Sequence, residues 1–273
     1  MKERHPHCVL TIAGSDSSGG AGIQADIKAI SAIGCYAASV ITALTAQNTQ
    51  GVQGIFAVPA AFVAAQMDSV FSDLTISAVK IGMLSDRDII DVVATGLKKE
   101  AIQHVVLDPV MVAKGGAALL QADQVSYLKE RLFPSATLIT PNIQEAEQLL
   151  GQPIKTAVAM EAAAITLGGS FGMAVLVKGG HLNTLRSSDV LYDPKAGLSH
   201  WFHADRVGTP NTHGTGCTLA SAIASFLAQG NELVPAIELA KQYLTKAIRS
   251  GSRFSIGKGH GPVDHFWQVL APF

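Results

Sequence analysis

CVLTIAGSDSSGGAGIQADIKAISAIG (8–34) carries three textures in one run. CVLTI (8–12) is a short apolar run rich in β-formers, GSDSSGGAG (14–22) is a polar glycine-rich loop, and Ile23, Ile27, Ile30 and Ile33 then recur at helical spacing. A strand, a loop and a helix make the first half of a βαβ unit. If the pattern repeats along the chain, a largely parallel sheet follows.

It does repeat. YAASVIT (36–42) reads as the next strand, followed by a polar loop, TAQNTQG (45–51), and a helix after Pro59. Further strands are expected at AVKIG (78–82), HVVLDP (104–109), TLITP (137–141), MAVLVKGG (173–180), DVLY (189–192) and SHWFHA (199–204). Helical periodicity lies between most of them, as in DRDIIDVVATGL (86–97), and a final helix pair is expected around 214–229 and 233–250. The runs at 189–204 are too close to enclose a helix and imply an antiparallel addition. The fold class is α/β: a three-layer α/β/α sandwich on a mostly parallel central sheet, with a small antiparallel addition, read as one domain over 1–273.

Composition narrows the function classes. With 273 residues, 48% hydrophobic and 15% charged, the chain reads as globular and long enough for a sizeable core. A formal net charge of −1 offers no general attraction to nucleic acid or to an anionic membrane. Cys8, Cys35 and Cys217 are far apart and form no CxxC pair, which argues against a disulfide framework or structural zinc and for a reducing, cytoplasmic setting. MKERHPHCVLTIAGSD (1–16) makes a poor signal peptide, HPHC (5–8) is read as a tail, and CYAASVITALTA (35–46) is too polar for a membrane span.

In such sheets ligands gather beyond the carboxyl ends of the strands. Polar residues cluster there repeatedly: GSDSSGGAG, TAQN, IGM, DPVM, TPN and KGGH follow successive strands. HGTGC (213–217) opens a helix, so the amides of Gly214, Thr215, Gly216 and Cys217 suit an anion, although a capped glycine turn explains the same residues. Neither a Walker A loop nor a GxGxxG fingerprint fits, because Gly follows Lys258 and Leu219 stands where a small residue is needed. The helix dipole at Cys217 predicts a lowered thiol pKa, whereas a small buried hydrophobe is the plain reading. Asn142 and Glu145 satisfy a capping box, yet Glu145 also stands where Mg²⁺ could be held through water. Asp108, closing a buried strand, is a second magnesium candidate, and Lys178 could reach phosphate. His181, His200, His203 and His260 are read as structural or exposed.

Eight segments then follow one another in a familiar order. AGSDSSGGAGIQADIKA (13–29), TALTAQNTQGV (42–52), VKIGML (79–84), LDPVMVAKGG (107–116), LITPNIQEAEQL (138–149), VLVKGGH (175–181), NTHGTGCTLASAIA (211–224) and IGKGHGPVDH (256–265) closely resemble the hydroxymethylpyrimidine/phosphomethylpyrimidine kinases of thiamine biosynthesis, within the ribokinase-like superfamily. The resemblance runs from about residue 9 to 265. It implies a homodimeric kinase that uses ATP and Mg²⁺ to phosphorylate 4-amino-5-hydroxymethyl-2-methylpyrimidine and then its monophosphate.

By the same resemblance, Gln47 reads the ring nitrogen and amino group, with Gly14, Asp26, Met83 and Val110 completing the pocket. Lys178, Asn142 and Thr215 would contact ATP, Asp108 and Glu145 would hold the metal, and Cys217 would stand in the base position above the Gly214–Gly216 turn. Pro210 in RVGTPNTHGTGC departs from the Thr-Lys-Asn-Thr of many relatives and removes a nucleotide-facing cation. A pyridoxal kinase is the nearest alternative. A ligand sensor on a kinase scaffold and a cysteine hydrolase are alternatives of other classes, and no fused domain is expected.

Overall fold

Apolar runs open each unit and glycines punctuate the turns. In the computed structural model, which describes residues 6–111, 122–180 and 186–269, these runs become seventeen strands and helices in near-regular alternation. The first half comprises β1 (Cys8–Asp16), α1 (Gly22–Ala32), β2 (Tyr36–Asn48), β3 (Gly51–Ala57), α2 (Ala60–Phe71), β4 (Ile76–Ile81), α3 (Arg87–Glu100) and β5 (Val105–Leu107). The second comprises α4 (Ala122–Leu132), β6 (Leu138–Ile139), α5 (Ile143–Leu150), α6 (Ala157–Phe171), β7 (Ala174–Lys178), β8 (Arg186–Asp193), β9 (Leu198–Asp205), α7 (Thr215–Ala228) and α8 (Leu233–Gly251).

The nine strands form one sheet in the order β3-β2-β1-β4-β5-β6-β7-β8-β9. β2, β1, β4, β5, β6 and β7 are mutually parallel; β3 and β8 run against them at the two ends, and β9 pairs antiparallel to β8 at the outer edge. Alternate side chains of the central strands feed two cores, as a sheet covered on both faces requires. From β1, Leu10 and Ile12 pack under α2 to α6, while Val9 packs under α1, α7 and α8. The helices follow from pattern and caps. In α3, Asp86 accepts the amide of Ile89 at 3.0 Å, Ile89, Ile90, Val93 and Leu97 are buried, and Lys98 and Lys99 close the last turn.

Two expectations are corrected. TAQNTQG is no loop: β2 continues to Asn48 and turns directly into β3. Its period-2 pattern is hidden because its inward residues, Thr45 and Gln47, are polar and face a cleft rather than a core. HPHC is not a tail from His7 onward, since the His7 carbonyl accepts the Tyr36 amide at 2.9 Å and Cys8 is buried in β1. The chain turns back at β1, placing β2 on one side and β4 on the other. That switch point, at the carboxyl ends of the strands, is where a ligand crevice is expected.

Candidate active site

A cleft of about 760 Å³ opens there. It gathers Gly14, Gln47, Met83, Val110, Asp108, Asn142, Glu145, Lys178, Gly214, Thr215, Gly216 and Cys217. Every predicted site residue but Asp26 is on its wall. His260 also edges it, His200 and His203 sit on the outer strand β9, and His181 lies outside the described residues.

The mouth of α7 is built by glycine. Gly214 caps the helix at φ 77°, and a Cβ there would collide with the carbonyl of Gly20 in the first loop. The two glycine-rich loops are thereby locked together, and the N-terminus of α7 faces the cleft, with the Thr215 amide making only a long 3.5 Å contact to the Thr212 carbonyl. Thr218 ties the turn down: its hydroxyl donates to the Gly214 carbonyl at 2.8 Å and so accepts from His265 Nε2 at 2.9 Å. Burial, reinforced by the charge of Lys28, lowers the His265 pKa to about 4 and keeps the ring neutral.

Cys217 does not become a thiolate. Burial pushes its thiol up to about 11, and the Lys80 ammonium and the Gly22 amide offset only part of that cost. The dipole-based expectation fails because desolvation at the half-buried wall of the cleft outweighs the field of one helix end. Asp26 is corrected as well. It is fully buried among Lys80 Nζ at 2.8 Å, Thr11 Oγ1 at 2.6 Å and Ser221 Oγ at 2.8 Å. It therefore braces Lys80 beneath the cleft rather than touching a ligand.

On the opposite wall, Asp108 closes β5 and accepts from Lys178 Nζ at 2.7 Å and Thr140 Oγ1 at 3.0 Å. A Cβ on Gly216 would lie 3.4 Å from both Asp108 Oδ2 and Lys178 Nζ, so the α7 turn directly faces this pair. Asn142 and Glu145 complete the capping box, with Glu145 Oε2 accepting the Asn142 amide at 2.7 Å. Burial first, and the nearby Asp108 charge, raise the Glu145 pKa to about 7 against the pull of Lys178. Two crowded, buried carboxylates beside one lysine suit a hard divalent cation, which takes one or two carboxylates and completes its shell with phosphate and water. Among the described residues no group of three or more His, Cys, Asp or Glu side chains is placed to hold a metal ion.

A sequence profile described as phosphomethylpyrimidine kinase matches residues 16–264. The chain belongs to the phosphomethylpyrimidine kinase family. It is 51% identical over 260 residues to a hydroxymethylpyrimidine/phosphomethylpyrimidine kinase of Rhizobium meliloti, covering 94% of this chain and 96% of that one. A bifunctional thiamine-biosynthesis protein of Geobacter sulfurreducens is 54% identical over 257 residues, but these cover 94% of this chain and only 52% of that protein, about half its length. The fold is ribokinase-like. A solved ADP complex of Bacillus subtilis pyridoxal kinase superposes with a TM-score of 0.89 at 37% identity, covering 98% of this chain and all of that one (100%).

Several residues of this family member's cleft escaped the sequence reading. Lys80 is fully buried yet lines the cleft floor, and its pKa is raised because Asp26, Cys217 and Asp108 outweigh the burial that would lower it. The signal was present: a lysine interrupts the apolar strand AVKIG, and an aspartate interrupts the stripe of α1. Lys241 of α8 pairs with Asp189 of β8 at 2.6 Å, and Asp189 also accepts the Gly179 amide at 3.0 Å. Asp16 and His213, 2.8 Å apart, join the two glycine loops beside Gln47. Each of these pairs unites segments distant in sequence.

Proposed function

We propose that the chain is a single-domain cytoplasmic kinase that transfers the terminal phosphoryl group of ATP to 4-amino-5-hydroxymethyl-2-methylpyrimidine, and then to the resulting monophosphate, in thiamine biosynthesis. One observation carries this reading. The α7 turn faces Asp108 and Lys178 across a gap bordered by Gln47, Met83 and Val110, so an anion cradle and a heterocycle pocket share one cleft.

Gln47 offers a donor and an acceptor side by side, which matches the ring-nitrogen and amino edge of the pyrimidine. Met83, Val110 and the bare backbone of Gly14 supply apolar walls for the ring. The amides of Gly214, Thr215, Gly216 and Cys217 receive the charge that spreads over the moving phosphoryl group, and Lys178 neutralises an oxygen from the other side. Asp108 and Glu145 would hold Mg²⁺, which when bound neutralises the nucleotide oxygens; Asn142 and Thr215 border the nucleotide. A bond forms between the alcohol oxygen and phosphorus as the bridging bond to ADP breaks. A loose transition state asks little of a base, so a protonated Cys217 is compatible with turnover.

The homodimer is part of the proposal. Leu44, Ile55 and Phe56 are exposed on the β2–β3 edge, with Phe56 at 66%, and an apolar sheet edge of this kind favours a second copy. Among the described residues no helix is long and apolar enough to cross a membrane. Asp108, Glu145 and the HGTGC turn argue against a ligand sensor that has lost its chemistry.

The test is ATP turnover with the pyrimidine alcohol and then its monophosphate, with products identified by mass. The alcohol is expected to gain one phosphoryl group and then a second, and the monophosphate supplied directly is expected to gain one. A larger specificity constant for pyridoxal than for the pyrimidine would overturn the assignment.

A further inference from the structure

Asp16, His213, Gln47 and Thr45 form a chain whose donors and acceptors can be counted. The Asp16 carboxylate accepts from Ser18 N and Oγ at 2.8 Å each, Ala21 N at 2.8 Å and Gly20 N at 3.1 Å. Burial alone would raise its pKa, but these bonds and the one from His213 hold it at about 2. An ionised carboxylate only accepts, so His213 Nε2, 2.8 Å from Oδ2, carries a proton. Gly20 is required for this approach, because a Cβ there would collide with the His213 ring.

Gln47 sits between His213 and Thr45. As placed, its amide sets Nε2 3.3 Å from His213 Nε2 and Oε1 3.1 Å from Thr45 Oγ1, an arrangement that puts a donor against a donor and that the hydrogen-bond balance reverses. Which end is oxygen and which is nitrogen follows from the partners. The His213 N–H, already committed to Asp16, has no lone pair and can face only the Gln47 carbonyl. The single Thr45 hydroxyl proton goes to the Ser15 carbonyl at 2.9 Å, which cannot donate, leaving Thr45 Oγ1 as an acceptor for the Gln47 NH₂. Donor balance therefore turns the carbonyl toward His213 and the NH₂ toward Thr45. The second lone pair and the second N–H face the cleft in a fixed order.

We propose that the Asp16–His213 pair and Thr45 lock the orientation of the Gln47 carboxamide, and that this lock sets the preference of the cleft for an amino-substituted ring-nitrogen edge over a hydroxypyridine. His213 and Thr45 are positioning residues. The proposal rests on the kinase reading above and adds what determines its selectivity. Without the lock the amide can present donor and acceptor in either order, and the pyrimidine edge loses its matched partner. A pyridine ring whose nitrogen and hydroxyl are not adjacent never used that order.

Steady-state kinetics on the full chain with ATP, using the pyrimidine alcohol and pyridoxal in parallel, test the idea. His213→Leu is expected to raise KM for the pyrimidine about tenfold, the worth of roughly one neutral hydrogen bond, with a much smaller change in kcat. KM for pyridoxal should hold, so the ratio of specificity constants falls about tenfold. Thr45→Val should shift the ratio in the same direction. His213→Gln, which can place N–H donors toward both Asp16 and Gln47, should restore the pyrimidine preference. An unchanged ratio in His213→Leu, or equal losses for both substrates, overturns the lock. Should His213→Leu fail to fold, an unchanged ratio in Thr45→Val overturns it equally. The kinase reading itself is tested on the unaltered protein, where absence of pyrimidine-dependent ADP formation refutes that reading before any variant is compared.

Discussion

Cys217 shows how two electrostatic effects compete at a single atom. The start of α7 offers positive partial charge and Lys80 lies beneath, yet burial dominates and the thiol stays protonated near neutrality. Cys217→Ser is therefore expected to keep kcat within about tenfold, and alkylation of Cys217 should accelerate only as pH approaches 11. A loss of about a hundredfold or more, the usual range for a general base, would restore the proton-acceptor role. Asp26 presents the complementary case, a charge kept entirely out of water. Asp26→Ala would strand the Lys80 ammonium, and unfolding measurements should show a loss of about 3 kcal/mol or more. A loss below about 1 kcal/mol would mean that Lys80 finds another partner or sheds its proton.

At the level of elements, the working parts are ends rather than middles. The α7 N-terminus needs a left-handed residue at 214 and empty space beside Gly20. Gly214→Ala should cost about 1 kcal/mol in backbone conformation alone and, by displacing the turn, lower kcat/KM about tenfold or more. Unchanged kinetics in that variant would remove the turn from the reaction. The same helix end is anchored by neutral His265 through Thr218. Its folded pKa, about 4 against an ordinary 6.5, means that the unfolded chain binds the proton first as pH falls. Stability from this group is thus complete above pH 6.5 and is lost on descending toward pH 4, by up to about 3 kcal/mol. A His265→Gln variant should show a flatter decline over that window in thermal melts; an identical decline would place the acid sensitivity elsewhere.

For the whole molecule, one sheet with a switch at β1 sets the position of everything else. β1, β2 and the end of β4 bring Gly14, Gln47 and Met83 to the cleft, β5 and β7 bring Asp108 and Lys178, and α7 returns from the far end of the chain to close the gap. The antiparallel strand β3 caps one edge of the sheet and leaves Ile55 and Phe56 in solvent. Phe56→Asp should shift the sedimentation or scattering mass from dimer to monomer by placing charge in an apolar contact. A monomeric unaltered protein, or a dimer unaffected by the charge, would rule out this edge as the interface.

The sequence by itself determined the alternation of strand and helix, the parallel sheet, and the row of polar residues after each strand. Those are local properties: apolar period, glycine placement and caps act within a dozen residues. Asp108, Glu145, Lys178 and the 214–217 turn could be picked out as candidates for the same reason, since each lies at or within one turn of the end of an element, whereas Gln47 was reached only through the family resemblance. Only the tertiary structure decided that Asp26 is buried under the cleft, that Cys217 keeps its proton, that TAQN (45–48) is strand, and that Asp16 meets His213 across 197 residues. Burial and charge pairing are sums over neighbours brought from distant segments, and no local window contains those neighbours.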